Sequence, residues 1–235
     1  AGRDSDACLY ILLDGLWVGP RYSPLNEPSY HAAFSHPASP SHTHNGAGHL
    51  ARIAYGSMLS RLAGDQPEKI ALVCEEGEIT RGELESGANR LARDFAERGV
   101  TLGDHVSLVL PNGLHLVRAM FACWKLGAVP NPLSHRMPSA ELARVLERAQ
   151  PRLIMGSGLS SLVDAAALDA SHEASPHFSD APLPECISPH ERALASSGST
   201  GQPKLIIPAA EAAYDPELYL RWLQWGAHLI FLWRA

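Results

Sequence analysis

Residues Ala193–Ile207 read ALASSGSTGQPKLII, and the interpretation of the whole chain turns on them. The stretch begins apolar, passes through small and hydroxyl residues, and ends at Lys204 followed by a β-type run. Gly198 and Gly201 let the backbone approach a ligand closely, and successive exposed N–H groups form a concavity suited to phosphate oxygens. Ser196, Ser197, Ser199 and Thr200 add hydroxyl donors, Lys204 adds a positive charge, and Pro203 stiffens the exit. These residue types point to a loop that cradles nucleotide phosphates. A Walker A loop requires G-x-x-x-x-G-K-[ST]. Here Leu205 follows the lysine, so the magnesium-holding hydroxyl is absent and that reading fails. The dinucleotide pattern G-x-G-x-x-G is absent too. A flexible Ser/Gly linker is the plain alternative, but strand-like residues on both sides of the loop speak against it.

The 235 residues allow one large domain or two small ones. Hydrophobic residues make up 46% and charged residues 19%, a globular balance with ample material for a core. The formal net charge of −6 removes any electrostatic case for nucleic acid. No apolar run is long enough to span a membrane. Leu9–Gly19 is short, is interrupted by Asp14, and lacks the flanks of a signal peptide. Cys8, Cys74, Cys123 and Cys186 are far apart and show no zinc spacing, so no metal site is expected from them. Cys74 and Cys123 fall in strand-like and helix-like runs, which suggests buried free thiols and a cytoplasmic compartment.

Outward from the loop, strand-like and helix-like runs alternate. Ile53, Tyr55, Met58, Leu59 and Leu62 share a helical face that Gly64 can end. Lys69–Cys74 reads as a strand, followed by a turn and a short returning strand at Glu78–Thr80. Thr80 and Glu83 form a capping box for a helix with Leu84, Ala88, Leu91, Ala92 and Phe95 on one face. His105–Leu110 is a strand. Leu114–Leu126 is a helix with Leu116, Met120 and Trp124 as its expected inner face. Ala128–Leu133 is a short strand and loop. Ser139 is the expected cap of a helix that turns Leu142, Val145, Leu146 and Ala149 inward. Arg152–Met155 is a further strand, Leu159–Leu168 a further helix, Ser171–Pro189 a surface loop, and Glu211–Leu220 a helix opening. The alternation predicts βαβ units and a largely parallel sheet flanked by helices. Ligands in such sheets bind at the loops beyond the strand ends.

The segment SSGSTGQPK resembles the phosphate-loop signature of the adenylate-forming enzymes, which include acyl-CoA synthetases, peptide-synthetase adenylation domains and luciferases. Ser196, Ser197, Gly198, Ser199, Thr200, Gly201, Pro203 and Lys204 fall on its motif positions. Gln66–Leu72, Thr80–Leu84, Gly103–Val106, Pro111-Asn112 and Lys125–Leu133 resemble further segments of the family, with Arg81 in place of an aromatic residue. The resemblance runs from about Ala51 to Leu218. It implies an α/β fold, the partial N-terminal domain of the adenylate-forming fold. It also implies a two-step reaction. A carboxylate attacks the α-phosphate of ATP to give an acyl-adenylate and pyrophosphate, and a thiol, usually CoA, then displaces AMP. ATP with Mg2+, a small-molecule carboxylic acid and CoA are the implied ligands, and the loop is assigned to the β- and γ-phosphates. The flavour within the family is that of acyl-CoA ligases for fatty or bulky acids.

The later family segments are an adenine-binding aromatic with a Thr-Glu pair, a ribose-binding aspartate and a C-terminal lysine. They do not occur in these residues, so no catalytic residue is assigned and the chain is expected to be inactive alone. Residues 1–50 are rich in Pro, Ser and His and read as a disordered or non-native extension. Their histidines His31, His36, His42, His44 and His49 leave a metal-binding role open. Residues 51–220 form the N-terminal part of the AMP-binding domain, and 221–235 match nothing in the family. A change of reading frame near residue 220 and translation from upstream of Ala51 are the expectations for the two ends. A cut sheet would expose an edge through which the chain associates. A non-catalytic nucleotide-binding or interaction module is the second functional reading.

Overall fold

The computed structural model describes residues 10–13, 16–18, 52–159, 165–196 and 203–214, with side chains from residue 52 onward. Strands β1 (Tyr10–Leu13) and β2 (Leu16–Val18) form an antiparallel pair. The short β3 (Ile53–Ala54) leads into α1 (Tyr55–Asp65), which buries Gly56, Leu59 and Ala63 at helical spacing. Strands β4 (Ile70–Cys74) and β5 (Gly77–Thr80) make a hairpin that feeds α2 (Arg81–Glu97). The capping box forms as the sequence predicts. Glu83 N–H donates to Thr80 Oγ1 at 3.2 Å, and Thr80 N–H donates to Glu83 Oε2 at 2.9 Å. Those hydrogen bonds hold the Glu83 carboxyl below its usual range.

Beyond α2 the chain alternates between β6 (His105–Val109), α3 (Leu114–Leu126), β7 (Val129–Leu133), α4 (Ser139–Ala149), β8 (Leu153–Met155) and β9 (Ala166–Leu168). These strands build a four-stranded, all-parallel sheet in the order β7-β6-β8-β9. Successive residues of a strand point to opposite faces. Val106 and Leu108 of β6 pack with Phe95, Leu116, Ala119 and Cys123, so α2 and α3 cover one face. Val109 packs with Leu133, Ile154, Leu142, Val145 and Leu146, so α4 covers the other. The result is the layered helix–sheet–helix arrangement that the sequence pattern implies.

Helix α3 is buried on two fronts. Leu116, Ala119 and Cys123 face the parallel sheet, while Val117 and Phe121 face Leu59, Leu72, Ile79 and Leu84 of α1, β4, β5 and α2. A single inner face of Leu116, Met120 and Trp124 is therefore corrected: Met120 and Trp124 are only partly buried. Cys123 is a buried free thiol, which burial pushes well above the usual range, while Cys74 is half-buried.

Strands β4 and β5 do not join the parallel sheet. They belong to an antiparallel sheet ordered β2-β1-β4-β5, with Tyr10 opposite Val73 and Ile11 opposite Leu72. Residues 10–13 and 16–18 thus depart from the disorder expected of 1–50. The β4 edge opposite β5 is open to pairing, and the β-type run Tyr10–Leu13 fills it. The remainder of 1–50, including the five histidines, lies outside the described residues, as does 221–235.

Three local expectations change. The helix expected over Leu159–Leu168 gives way at its end: Ala166–Leu168 is β9, laddered on the free edge of β8, and alanine-rich runs of this length fit either period. Residues 160–164 are outside the described set. Ser139 does not cap α4. Pro138 occupies the cap, and its carbonyl accepts the N–H groups of Glu141 and Leu142, each at 2.9 Å. Within Glu211–Leu220, Ala213–Tyr214 form β12, paired antiparallel with β3, and 215–220 are outside the described set.

Candidate functional site

Strands β10 (Leu194–Ser196) and β11 (Lys204–Ile206) flank the hydroxyl-rich loop, as their composition suggests. They pair antiparallel with Leu194 opposite Ile206, Ala195 opposite Leu205 and Ser196 opposite Lys204. Ser196 and Lys204 therefore face each other at the mouth of the loop. Ser196 is half-buried, Pro203 buried and Lys204 exposed to solvent. Ser197, Gly198, Ser199, Thr200 and Gly201 lie outside the described residues. The loop closes an antiparallel hairpin and is not the C-terminal end of a parallel strand.

The sequence of β7 explains where this hairpin docks. Val129 N–H donates inward to Asp104 O at 2.8 Å, so positions 130 and 132 direct their backbone outward. Both are proline and have no N–H to offer. The outer edge of β7 presents carbonyls without donors, which ends the parallel sheet there. Pro130 O accepts the Ala193 N–H at 2.9 Å, immediately ahead of β10.

Two legs carry the hairpin, residues 188–193 before it and 207–212 after it. They are clipped together by Glu191 N–H to Ala210 O (2.7 Å) and Ala212 N–H to Ser188 O (3.0 Å). His190 Nδ1–H donates to Pro208 O at 2.8 Å, and Ser188 Oγ donates to His190 O at 2.8 Å. The legs are also fixed to the helices. Tyr55 N–H at the start of α1 donates to Ala212 O at 3.0 Å, and Trp124 Nε1–H on α3 donates to Glu191 O at 2.8 Å. Burial raises the Tyr55 hydroxyl above its usual range, with the Glu191 carboxylate acting the same way.

The motif located the loop but not its supports. Ala193, Trp124 and the Ser188–His190 leg carry no catalytic residue signature. One sequence signal was available: prolines at alternate positions of an otherwise apolar strand mark a sheet edge. Among the described residues no group of three or more His, Cys, Asp or Glu side chains converges as a metal site, and no helix is long and apolar enough to cross a membrane.

The profile of the AMP-binding enzyme family matches residues 59–214, and the chain belongs to that family. It is 30% identical over 163 residues to a non-canonical nonribosomal peptide synthetase, CymA, of Salinispora arenicola, covering 68% of this chain and 2% of that protein. It is 34% identical over 83 residues to a medium/long-chain-fatty-acid–CoA/3-oxocholest-4-en-26-oate–CoA ligase of Mycobacterium marinum, covering 35% of this chain and 15% of that protein. The NpsA N-terminal subdomain of Klebsiella oxytoca superposes with a TM-score of 0.58 at 24% identity, over 68% of this chain and 43% of that one. The fold is therefore that of an adenylate-forming N-terminal subdomain, and the chain spans a small part of the curated relatives it matches.

Proposed function

We propose that the chain provides the ATP phosphate site of an ATP-dependent acyl-CoA ligase, in which a carboxylic acid is activated as its adenylate and passed to CoA. The observation that carries this reading is the hairpin itself, which sets Ser196 opposite Lys204 and closes the hydroxyl-rich loop between them. In this role Ser196, Ser197, Gly198, Ser199, Thr200 and Gly201 cradle the β- and γ-phosphates. Pro203 stiffens the exit, and Lys204 offsets phosphate charge. The charge and its position matter because phosphate displacement is driven by orientation and neutralisation. Magnesium would enter with ATP, and the loop hydroxyls are hard oxygen donors of the kind it takes. A reducing, cytoplasmic setting suits the free thiols Cys74, Cys123 and Cys186. Exposed Ile206 and Ile207 are the apolar surface through which the chain would associate with other protein.

Activation of an amino acid is the second reading, favoured by the nonribosomal peptide synthetase among the relatives. A nucleotide-binding module without turnover is the third. Calorimetric titration with Mg-ATP tests the shared core of all three. Lys204→Ala is expected to weaken binding about 10- to 100-fold, the worth of one charged hydrogen bond. Unchanged affinity would remove the loop assignment. Pyrophosphate release with a fatty acid favours the ligase, release with an amino acid favours the second reading, and ATP binding without release favours the third.

A further inference from the structure

We propose that Trp124 is a positioning residue for the phosphate loop, acting through its indole N–H on the leg that leads into β10. The inference rests on the phosphate-loop reading above and goes beyond it, since Trp124 lies on α3, outside the loop motif.

The geometry separates this role from simple packing. The Trp124 ring meets Tyr55 edge-on, with centroids 5.2 Å apart and planes at 77°, and Phe121 at 5.2 Å and 85°. Two T-shaped contacts fix the plane of the indole. Its Nε1–H is aimed at Glu191 O, 2.8 Å away. The same Glu191 residue donates its own N–H to Ala210 O. One indole thus restrains both legs, because the first leg is tied at this residue to the second. The neighbouring anchors, Tyr55 N–H to Ala212 O and Ala193 N–H to Pro130 O, are backbone to backbone. Trp124 is thus a side chain through which α3 holds the stalk.

A phosphate cradle works when its donors are in place before the ligand arrives. Loosening the stalk adds conformations that binding must then freeze, which lowers affinity without removing any ligand contact. Trp124→Phe keeps a ring between Tyr55 and Phe121 and removes the N–H. Phe121→Leu is the control: it removes packing and one ring contact but keeps the indole N–H and its contact with Tyr55.

The test compares Mg-ATP affinity and amide hydrogen exchange in the wild type, Trp124→Phe, Phe121→Leu and Lys204→Ala. Trp124→Phe is expected to speed exchange in residues 190–196 and 204–212, leave β6 and β8 unchanged, and weaken ATP about 3- to 10-fold. Phe121→Leu should lower the melting temperature without that local acceleration. If Lys204→Ala weakens ATP while Trp124→Phe behaves like Phe121→Leu, the positioning role is overturned and the phosphate loop stands. If Lys204→Ala has no effect, the phosphate-loop reading fails. A measurement on the unaltered chain guards against a variant that does not fold. The Trp124 indole proton should exchange slowly with water by NMR, and exchange as fast as in a free indole would also overturn the proposal.

Discussion

Lys125 Nζ lies 2.8 Å from Glu85 Oε2, with both side chains buried where α1, α2 and α3 meet. Ser60 Oγ and Asn89 Nδ2 donate to Glu85 Oε1 at 2.7 and 2.9 Å, and Lys125 Nζ donates to Ser60 Oγ at 3.0 Å and to Gly56 O at 3.3 Å. Gly56 makes this approach possible, since a Cβ there would stand 3.0 Å from Lys125 Cα. Burial lowers the Lys125 ammonium from its usual range, and the Glu85 carboxylate opposes that shift. The pair is a cross-link among three helices: Glu85 Oε1 takes the hydrogen bonds, and Oε2 has the ammonium beside it without a hydrogen bond of its own.

Breaking this pair should cost more than replacing it. Lys125→Met leaves Glu85 buried without its counter-charge, and the expected destabilisation is about 3–5 kcal/mol. Lys125→Met combined with Glu85→Gln removes the orphaned charge and should recover a large part of that loss. Urea unfolding of both variants measures the difference. Equal stability of the single and double variants would show that the carboxylate is not desolvated as its burial implies.

Thr80→Ala tests the start of α2. The variant loses the side-chain acceptor for Glu83 N–H and keeps the backbone N–H that donates to Glu83 Oε2. A loss of about 1 kcal/mol is expected from the missing Thr80 cap, read as a lower urea midpoint. Thr80→Ser keeps the hydroxyl and should restore most of it.

The parallel sheet was legible because β6, α3 and β7 follow one another with clear runs and turns, and Leu114–Leu126 is observed with the predicted boundaries. The capping box was legible because two side chains three residues apart determine it. Other features depend on tertiary partners that no local pattern names. Ala166–Leu168 is a strand because β8 has a free edge, and Tyr10–Leu13 is one because β4 has another. Ser139 has a good capping hydroxyl, but Pro138 already ends the extended backbone one residue earlier. The loop proposed to hold phosphate was recognisable from its own residues. Its supports were not, because Trp124 and Ala193 act through one N–H each, and an N–H carries no sequence signature.

Gly127→Ala tests a close approach at the end of α3. Gly127 has φ of +70°, in the left-handed region, and an added Cβ would lie 2.5 Å from Cys186 Sγ and 2.6 Å from Leu102 Cδ1. The backbone costs about 1–2 kcal/mol for a non-glycine residue, and forced repacking adds about 1–3 kcal/mol. The variant should melt well below the wild type. Adding Cys186→Ala, which clears the nearest atom, should recover part of the packing loss and none of the backbone loss.

His105 sets a pH dependence at the start of β6. Burial pushes its imidazole below its ordinary value of 6.5, the nearby His190 acts the same way, and Asp104 opposes them. Its Nδ1 is buried and has no hydrogen-bond partner, so no hydrogen bond at that atom offsets the cost of charging the ring. The folded state therefore binds this proton less readily than the unfolded chain does. Its contribution to stability is complete above the unfolded value near 6.5. As the pH falls, that contribution is lost progressively until the native ring is protonated as well. His105→Gln removes the titration and keeps a polar side chain of similar reach. Between pH 7.5 and 5.5 the wild type should lose more stability than this variant, as read from urea midpoints at the two pH values. Parallel losses would mean that the pH dependence arises elsewhere and that His105 is as readily protonated in the folded protein as in the unfolded chain.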